Sequence, residues 1–367
     1  MDNGPFTIGV EEEFLVVDAA TGALRPDGPE LLPAARRRVG DDIHPELHPS
    51  QLETNTPVGK TLADVRAALT GLRRGLAATL TGAGCRLAAT GTHPSSPWTA
   101  DPTVNPKYAV VEREYQQLAR EQVICGAHVH VGIDDPEVAI AVVNGAGPWL
   151  APIVALAANS PFWGGCDTGY ASYRTELWRR WPTAGTPAPF AGRAEYEALV
   201  EALFRTGSID DHARIYWDVR PSAKFPTVEF RVADVGLTVD DTVLTAGLVR
   251  ALAATAAGER EGAAAARPAP VRPELLRAAT WRAARYGVGG TLIDVEARAA
   301  VPAAELIDRF LARLRPALEE FGDWDEISEL VGRTLAEGTG ADRQRRVRAA
   351  TGELGPVVDF IVEATVP

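Results

Sequence analysis

The stretch TIGVEEEFLVVD, residues 7–18, sets three consecutive glutamates inside an apolar run. In an extended strand, side chains alternate between faces, so Glu11 and Glu13 share one face and Glu12 takes the other. Their Cα atoms then lie roughly 7 Å apart. Two carboxylates this close repel unless an arginine, a lysine or a metal ion stands between them. The same pattern recurs along the chain. HPELHPSQLETNTPV (44–58) carries Glu46 and Glu53, ICGAHVHVGI (124–133) puts His128 and His130 on one face, and TVEFRVADV (227–235) puts Glu229 and Arg231 on one face. One sheet face could therefore collect Glu11, Glu13, Glu53, His128, His130, Glu229 and Arg231. Carboxylates with one or two imidazoles on rigid strands form a divalent-cation site. The oxygen-rich set favours Mg²⁺ or Mn²⁺ over Zn²⁺.

Each piece has a plainer reading alone. His-x-His can be two polar residues on a wet face, Glu-x-Arg a cross-strand ion pair, and Glu46 a surface acid. The combination is what argues for chemistry, because four strands would otherwise misplace charge on one face independently. SPFWGGCDTGYASYRTELWRRWPTAGTPAPF (160–190) reads as a long irregular segment bearing Tyr170, Tyr173, Arg174, Trp178, Arg179, Arg180 and Trp181. Segments of this kind are often functional lids. Its aromatics could cover a nucleotide or an amine, and Arg174 could grip a phosphate or carboxylate with two prongs; the alternative is an aromatic packing loop. In DDHARIYWDVRPSAKFP (210–226), Arg220 and Lys224 add positive charge near Glu229, although Arg220 could simply pair with Asp218 or another acid. His93, in Gly91-Thr92-His93-Pro94, carries little weight as a ligand.

The elements that must position these residues follow from periodicity. Strands are expected at 6–18, 43–55, 85–91, 122–133, 213–220 and 226–234. Residues 61–82 carry leucines and valine at helical spacing, and Asn105-Pro106 opens a helix to about 121. Further helices are expected at 136–158, 192–206, 239–257, 273–285, 302–320, 324–337, 341–351 and 355–365. Irregularly spaced strands among helices suggest an α+β fold with a mainly antiparallel sheet. The segment 256–273 reads as a linker between a strand-bearing body, 1–255, and a helical C-terminal part, 274–367, within a single domain 1–367. The apolar run 138–158 is interrupted by Asn144, two glycines and two prolines, which favours a buried helix pair over a membrane span.

Composition narrows the function classes. The 367 residues are 46% hydrophobic and 23% charged, with net charge −12, which suits a globular enzyme and disfavours nucleic-acid binding by phosphate neutralisation. RQRRVR (343–348) is a small basic patch, read as solvated or internally paired surface. Three cysteines, Cys85, Cys125 and Cys166, in no metal-ligand spacing argue for a reducing compartment. A strand-like segment almost at the N-terminus leaves no expected signal peptide. Only three of 37 basic residues are lysines, so Lys224 in a polar, motif-dense segment is worth noting. The chain has no P-loop, dinucleotide fingerprint, nucleophile elbow or Cys-x-x-Cys. A bound nucleotide would be held through metals and arginines.

In order, GVEEEF (9–14), SQLETNTPV (50–58), GTHP (91–94), CGAHVHVGI (125–133), DTGYASYRT (167–175), WPTAG (181–185), DDHARIYWDVRPS (210–222), TVEFRVADV (227–235) and an element from Arg285 to Asp294 resemble the type 2 glutamate–cysteine ligase family of carboxylate–amine ligases. The resemblance implies a glutamine-synthetase-like fold: a curved, mainly antiparallel sheet with helices packed outside and the active site on its concave face. It implies ATP- and Mg²⁺-dependent (or Mn²⁺-dependent) amide formation in the cytoplasm from a small carboxylic acid and an amine, glutamate and cysteine foremost, with a homodimer plausible by similarity. By that likeness Glu11, Glu13, Glu46, Glu53, His128 and Glu229 match metal ligands. Arg231 matches the arginine that steadies transferred phosphate. Arg174 and Arg220 are further catalytic candidates, Arg174 and Lys224 join Arg231 as nucleotide contacts, and His130, Tyr173 and Arg220 are substrate contacts. The same chemistry on another acid or amine, an ATP-independent metal-dependent amide hydrolase, and a non-catalytic binding relative are the rival readings. Retained, crowded acids argue against the last.

Overall fold

The computed structural model describes residues 5–97, 100–212, 214–262 and 271–366. Its centre is one seven-stranded sheet made of β1 (Ile8–Asp18), β2 (Ile43–Pro45), β3 (Gln51–Asn55), β4 (Cys85–Ala88), β5 (Gly126–Gly132), β8 (Val219–Pro221) and β9 (Thr227–Asp234), with β6 (Phe162–Trp163) and β7 (Cys166–Asp167) forming a separate hairpin. The order is β2-β3-β1-β5-β9-β8, with β4 extending the β1 edge beyond β5, and every ladder is antiparallel. A second small hairpin pairs β10 (Thr291–Asp294) with β11 (Ala299–Pro302). The expectation of an α+β fold on an antiparallel sheet holds.

The helices are α1 (Gly28–Val39), α2 (Leu62–Thr81), α3 (Pro106–Tyr115), α4 (Gln117–Arg120), α5 (Pro136–Ala146), α6 (Leu150–Leu156), α7 (Tyr173–Trp178), α8 (Arg193–Arg205), α9 (Val239–Gly262), α10 (Pro273–Tyr286), α11 (Ala303–Phe321), α12 (Trp324–Glu337), α13 (Gly340–Thr351) and α14 (Gly355–Thr365). Local chemistry sets their ends. Thr61 and Asp64 form a reciprocal capping box at the start of α2, and Asp135 caps α5 ahead of Pro136. Val10, Val129 and Phe230 of the sheet share one apolar core with α5, α6, α9, α11 and α12, so the C-terminal helices back the sheet. A second core joins Phe14 and Val16 of β1 to Leu76 of α2 and to Val357 and Ile361 of α14.

Several sequence expectations change. The segment 43–55 is two strands rather than one. β2 and β3 pair with each other across a turn at 46–50, because Pro45 and Pro49 lack the N–H a continuous ladder needs. α1 was not expected; Pro29 and Pro33 obscure its spacing, although Pro29 suits the first turn. The expected linker begins too early: residues 256–262 continue α9, as its alanines favour. Residues 263–270 of that linker lie outside the described residues. Strand 213–220 shrinks to β8. The run Pro136–Leu156 is apolar enough to cross a membrane by composition, yet 78% of its most apolar window is buried inside the fold as α5 and α6.

Glu12 points away from Glu11 and Glu13, into the helical side, where both it and Arg73 of α2 are fully buried. Arg73 Nη2 donates to Glu12 Oε1 at 2.5 Å and Nε donates to Oε2 at 3.0 Å. The same guanidinium reaches the carbonyls of Gly236, Leu237 and Thr365, and Thr242 Oγ1 donates to Glu12 at 2.6 Å. One buried ion pair thus ties β1 to α2, to the exit of β9 and to the end of α14. Removing one partner strands the other charge in the core, which costs about 3–5 kcal/mol. Arg73→Met should lose stability on that scale by urea denaturation, while the double variant Arg73→Met/Glu12→Leu should recover much of it.

His93 is buried. Its Nε2–H donates to the Gly22 carbonyl at 2.8 Å, and Nδ1 accepts from the Ser95 and Ser96 amides at 3.2 and 3.0 Å. Burial holds its pKa down at about 4. The unfolded state, with an ordinary histidine, binds the proton first. Stability is therefore lost as pH falls from about 6.5 toward 4. Unfolding free energies at pH 7 and 5 should differ less in His93→Asn than in the parent.

Candidate active site

The opposite face of the sheet gathers the acids, histidines and arginines. Register explains how. Glu13 stands across from Glu53, Glu11 across from His128, His130 across from Glu229, and Glu229 across from Arg220. Glu46 joins from the β2–β3 turn, where its Oε1 accepts from the Leu47 amide at 2.8 Å. Tyr108 of α3 pins that turn by donating to the Pro45 carbonyl at 2.8 Å, and Thr103 Oγ1 donates to the Glu46 carbonyl at 2.7 Å.

Among the described residues, two groups each bring their potential ligand atoms within 4.8 Å: Glu11, His130 and Glu229, and separately Glu13, Glu46 and Glu53. They differ in charge balance. Glu229 is clamped by Arg231 and by Arg220, whose Nε donates to it at 3.0 Å. Burial alone would raise the Glu229 carboxyl, but the two guanidiniums outweigh it and hold it at about 2. Burial likewise opposes the Glu11 charge, yet His128 and His130 hold that carboxyl far below the usual range. The second group has no such counterweight at hand. Burial and then the neighbouring Glu46 push Glu13 up to about 7, despite Arg174 and the Gly126 amide. Burial and the crowd of Glu11, Glu46 and Glu13 push Glu53 well above its ordinary value.

The histidines link the groups. His128 Nδ1–H donates to Glu11 Oε2 at 3.1 Å, which leaves Nε2 as a bare lone pair, buried, without a hydrogen-bond partner and 3.8 Å from Glu13 Oε1. Burial and Arg231 keep this imidazole neutral, at about 4. A neutral histidine oriented by a carboxylate is the form that ligates metals. His130, expected as a substrate contact, falls within the first acid group: its Nε2 lies 3.2 Å from Glu11 and its Nδ1 2.9 Å from Thr227 Oγ1. The donor set fits a hard divalent cation: oxygen-rich, crowded where uncompensated, with one buried imidazole lone pair beside it.

Positive charge sits on the β9 side. Arg231 and Arg174 lie over Trp178 of α7, at 5.1 and 5.7 Å from the ring. The Nε atoms of both arginines and Nε1 of Trp178 are buried donors without acceptors. The segment 160–190 is thus not irregular throughout, since it contains the β6–β7 hairpin and α7, and Arg174 is 1% exposed. Trp181 packs with Tyr115 and Tyr216 beside the site, at 4.6 and 5.1 Å between rings. Tyr173 turns toward Trp163 and Tyr170, Arg180 pairs with Glu121, and Arg179 donates to the Arg277 carbonyl; these contacts belong to packing around α7. Lys224 sits exposed in the β8–β9 turn and does not join the acid groups.

Asp234 was not singled out from sequence. Strict alternation places it on the face opposite Glu229 and Arg231. The ladder slips instead: Ala127 pairs with Ala233 and Val129 with Phe230, so two β9 residues oppose His128. This bulge turns Asp234 to the site face, opposite Gly126 and 4.0 Å from Arg174.

Without a cation, carboxyls with raised pKa values destabilise the fold as pH rises, because the folded state holds their protons more tightly than the unfolded state. Thermal midpoints in a chelator should therefore fall as pH rises through about 7 for this group, and Mn²⁺ should abolish the fall. Glu53→Gln should raise the midpoint in chelator and lose most of the Mn²⁺-induced stabilisation.

Relatives agree with this architecture. The model of "Glutamate-cysteine ligase family 2" matches residues 7–360. A protein of Frankia alni named putative glutamate–cysteine ligase 2-2 is 46% identical over 99% of this chain and 97% of its own length. One of Rhodopirellula baltica named putative glutamate–cysteine ligase 2 is 42% identical over 98% and 97%. The fold is that of a solved glutamate–cysteine ligase from Francisella tularensis in complex with AMP, with TM-score 0.72 at 12% identity over 98% of this chain and 88% of that one. A bifunctional glutathione synthetase from Pasteurella multocida matches with TM-score 0.70 at 16% identity over 98% of this chain and 52% of that one. With its sequence matched almost end to end and its acids, histidines and arginines on one sheet face, the chain belongs to glutamate–cysteine ligase family 2.

Proposed function

We propose that the protein is an ATP-dependent carbon–nitrogen ligase that joins the γ-carboxylate of glutamate to the amine of cysteine. The supporting observation is the division of one sheet face into uncompensated acids, Glu13, Glu46 and Glu53, and buried arginines with unpartnered donors, Arg174 and Arg231. Such a face suits a reaction that moves a phosphoryl group between anions. The relatives' names, and the AMP in a solved structure of the same fold, favour ATP and this acid–amine pair.

In this reading the substrate carboxylate oxygen attacks the γ-phosphorus of ATP. The O–P bond to the acid forms as the bond to the β-phosphate oxygen breaks, and ADP leaves. The amine nitrogen then attacks the acyl carbon, inorganic phosphate departs, and the amine loses a proton. Mg²⁺ or Mn²⁺, held by Glu13, Glu46 and Glu53 with His128, and by Glu11, His130 and Glu229, would offset phosphate charge when bound. Arg231 and Arg174 offer donors to the transferred phosphoryl oxygens. Arg220, bonded to Glu229 and to the Ile215 carbonyl at 2.7 Å, holds Glu229 in place in this scheme. The aromatic packing around Trp178 and Trp181 keeps water from an acyl phosphate. The three cysteines are free thiols, two of them buried, in keeping with a cytoplasmic enzyme.

The test is ADP release with ATP and Mg²⁺ across a matrix of carboxylic acids and amines. Release that needs glutamate and cysteine together, with γ-glutamylcysteine identified by mass, is the expected result. A different obligate pair would keep the chemistry and replace the substrates. Amide hydrolysis without ATP, and no ADP with any pair, would replace the ligase by a metal-dependent hydrolase. Arg231→Lys should retain the fold and lose at least about a hundredfold in kcat, since a point charge does not reproduce a fork of donors.

A further inference from the structure

We infer that Asp234 is a positioning residue, which fixes Arg174 and the start of α7 so that the guanidinium meets the reacting anion; this rests on the ligase reading above. Asp234 is 2% exposed and belongs to neither acid group. Its carboxylate is instead filled from the other side. Oδ2 accepts from the Asn159 amide at 2.8 Å and from Ser160 Oγ at 2.7 Å, and Oδ1 accepts from Ser172 Oγ at 2.8 Å. Those donors are the frame of Arg174. Ser160 Oγ in turn accepts the Arg174 amide at 3.0 Å, and Ser172 caps α7 by accepting from the Thr175 amide at 3.3 Å.

The guanidinium itself is held loosely. Nη1 lies 4.0 Å from Asp234, Nη2 donates to the Arg231 carbonyl at 3.3 Å, and Nε has no acceptor. A buried arginine that served only to neutralise Asp234 would make a close two-pronged pair. Here three neutral donors already occupy the carboxylate, and Arg174 keeps hydrogen-bonding capacity in reserve. Two glycines make the room. A β-carbon at Gly91 would lie 2.9 Å from both Asp234 Cγ and Ser160 Cβ, and one at Gly126 would overlap the Arg174 guanidinium. The β9 bulge, both glycines, both serines and the α7 cap therefore converge on the placement of one side chain.

The experiment is a double-mutant cycle with steady-state kinetics, joined to a crystal structure of Asp234→Asn. The asparagine keeps the shape and loses the charge and one acceptor. A displacement of about 1 Å at a reacting centre costs up to about a hundredfold. Asp234→Asn should lower kcat/KM by about 10- to 100-fold and show Arg174 displaced. In an Arg174→Gln background the same change should cost less than about threefold, because coupled residues are not additive. Gly126→Ala leaves Asp234 intact, crowds the Arg174 guanidinium directly and should reproduce the kinetic loss, so wild-type kinetics there overturn the inference even where Asp234→Asn does not fold. Additive losses, or a lowered melting point with unchanged kinetic constants in Asp234→Asn, would overturn the inference, as would wild-type kinetics in Gly126→Ala. If the parent protein turns over no acid–amine pair, the ligase reading fails separately; the position of Arg174 in Asp234→Asn, moved or unmoved, still decides this one.

Discussion

The alternation of side chains along β1 is the constraint on which the site depends. Three glutamates in sequence cannot share a face, so the strand sends Glu11 and Glu13 one way and Glu12 the other. Glu12 meets Arg73 in the core, and that pair locks the register of β1 against α2, β9 and α14. A slip of one residue would bring Glu11 or Glu13 to Arg73 and drive a second carboxylate into the core with no partner. The buried ion pair thus does for specificity of register what it does little for in net stability. It also means that the position of the reactive carboxylates is set from behind the sheet, by residues that never touch them.

Charge across the site face is graded rather than mixed. The turn before β3, β3 itself and β1 carry Glu46, Glu53 and Glu13; β5 carries the two histidines; β9 and β8 carry Arg231 and Arg220, with Arg174 arriving from α7. Glu229 looks misplaced on the basic side, yet it is what allows two guanidiniums to stand on adjacent strands. Trp178 does the same for Arg174 and Arg231, its ring lying under both cations. The acids on the far side have no equivalent partner, which is why burial and crowding raise Glu13 and Glu53 while Glu11 and Glu229 are held low. The strain is local to the place where a cation would relieve it.

How far the sequence discloses this depends on whether a residue obeys simple periodicity. Glu11, Glu13, Glu53, His128, His130 and Glu229 follow strict alternation, and Arg231 keeps it as far as the bulge, so alternation alone gathers them. Glu46 sits on a turn, where no periodicity speaks; only the resemblance to relatives raised it above a surface acid. His130 gains weight for a similar reason, since register across two strands, not spacing within one, decides that it faces Glu229. Asp234 escapes because a bulge reverses the parity of β9 between Arg231 and itself, and a bulge is a property of the pairing, not of either strand. α1 and the β2–β3 turn escape because prolines disguise a helix in one case and break a strand in the other.

These misses share a cause that bears on how such a site is held. A regular strand can aim side chains at a site, but only at intervals of two residues and only from its own edge position. Bringing Glu46 beside Glu53, and Arg174 beside Arg231, requires backbone that leaves the sheet and returns. Leaving the sheet exposes amides and carbonyls that the ladder would have satisfied. Tyr108 and Thr103 cover that deficit for the Glu46 turn, and Asp234 with Ser160 and Ser172 covers it for the chain entering α7. The residues that do not obey periodicity are therefore the ones that need dedicated polar partners. Around this site those partners are buried, and each sits beside a group that faces the acids or the arginines. A search for buried side chains that satisfy irregular backbone next to a charged cluster finds Asp234 and Tyr108 in this chain, where a search for repeating patterns passes them by.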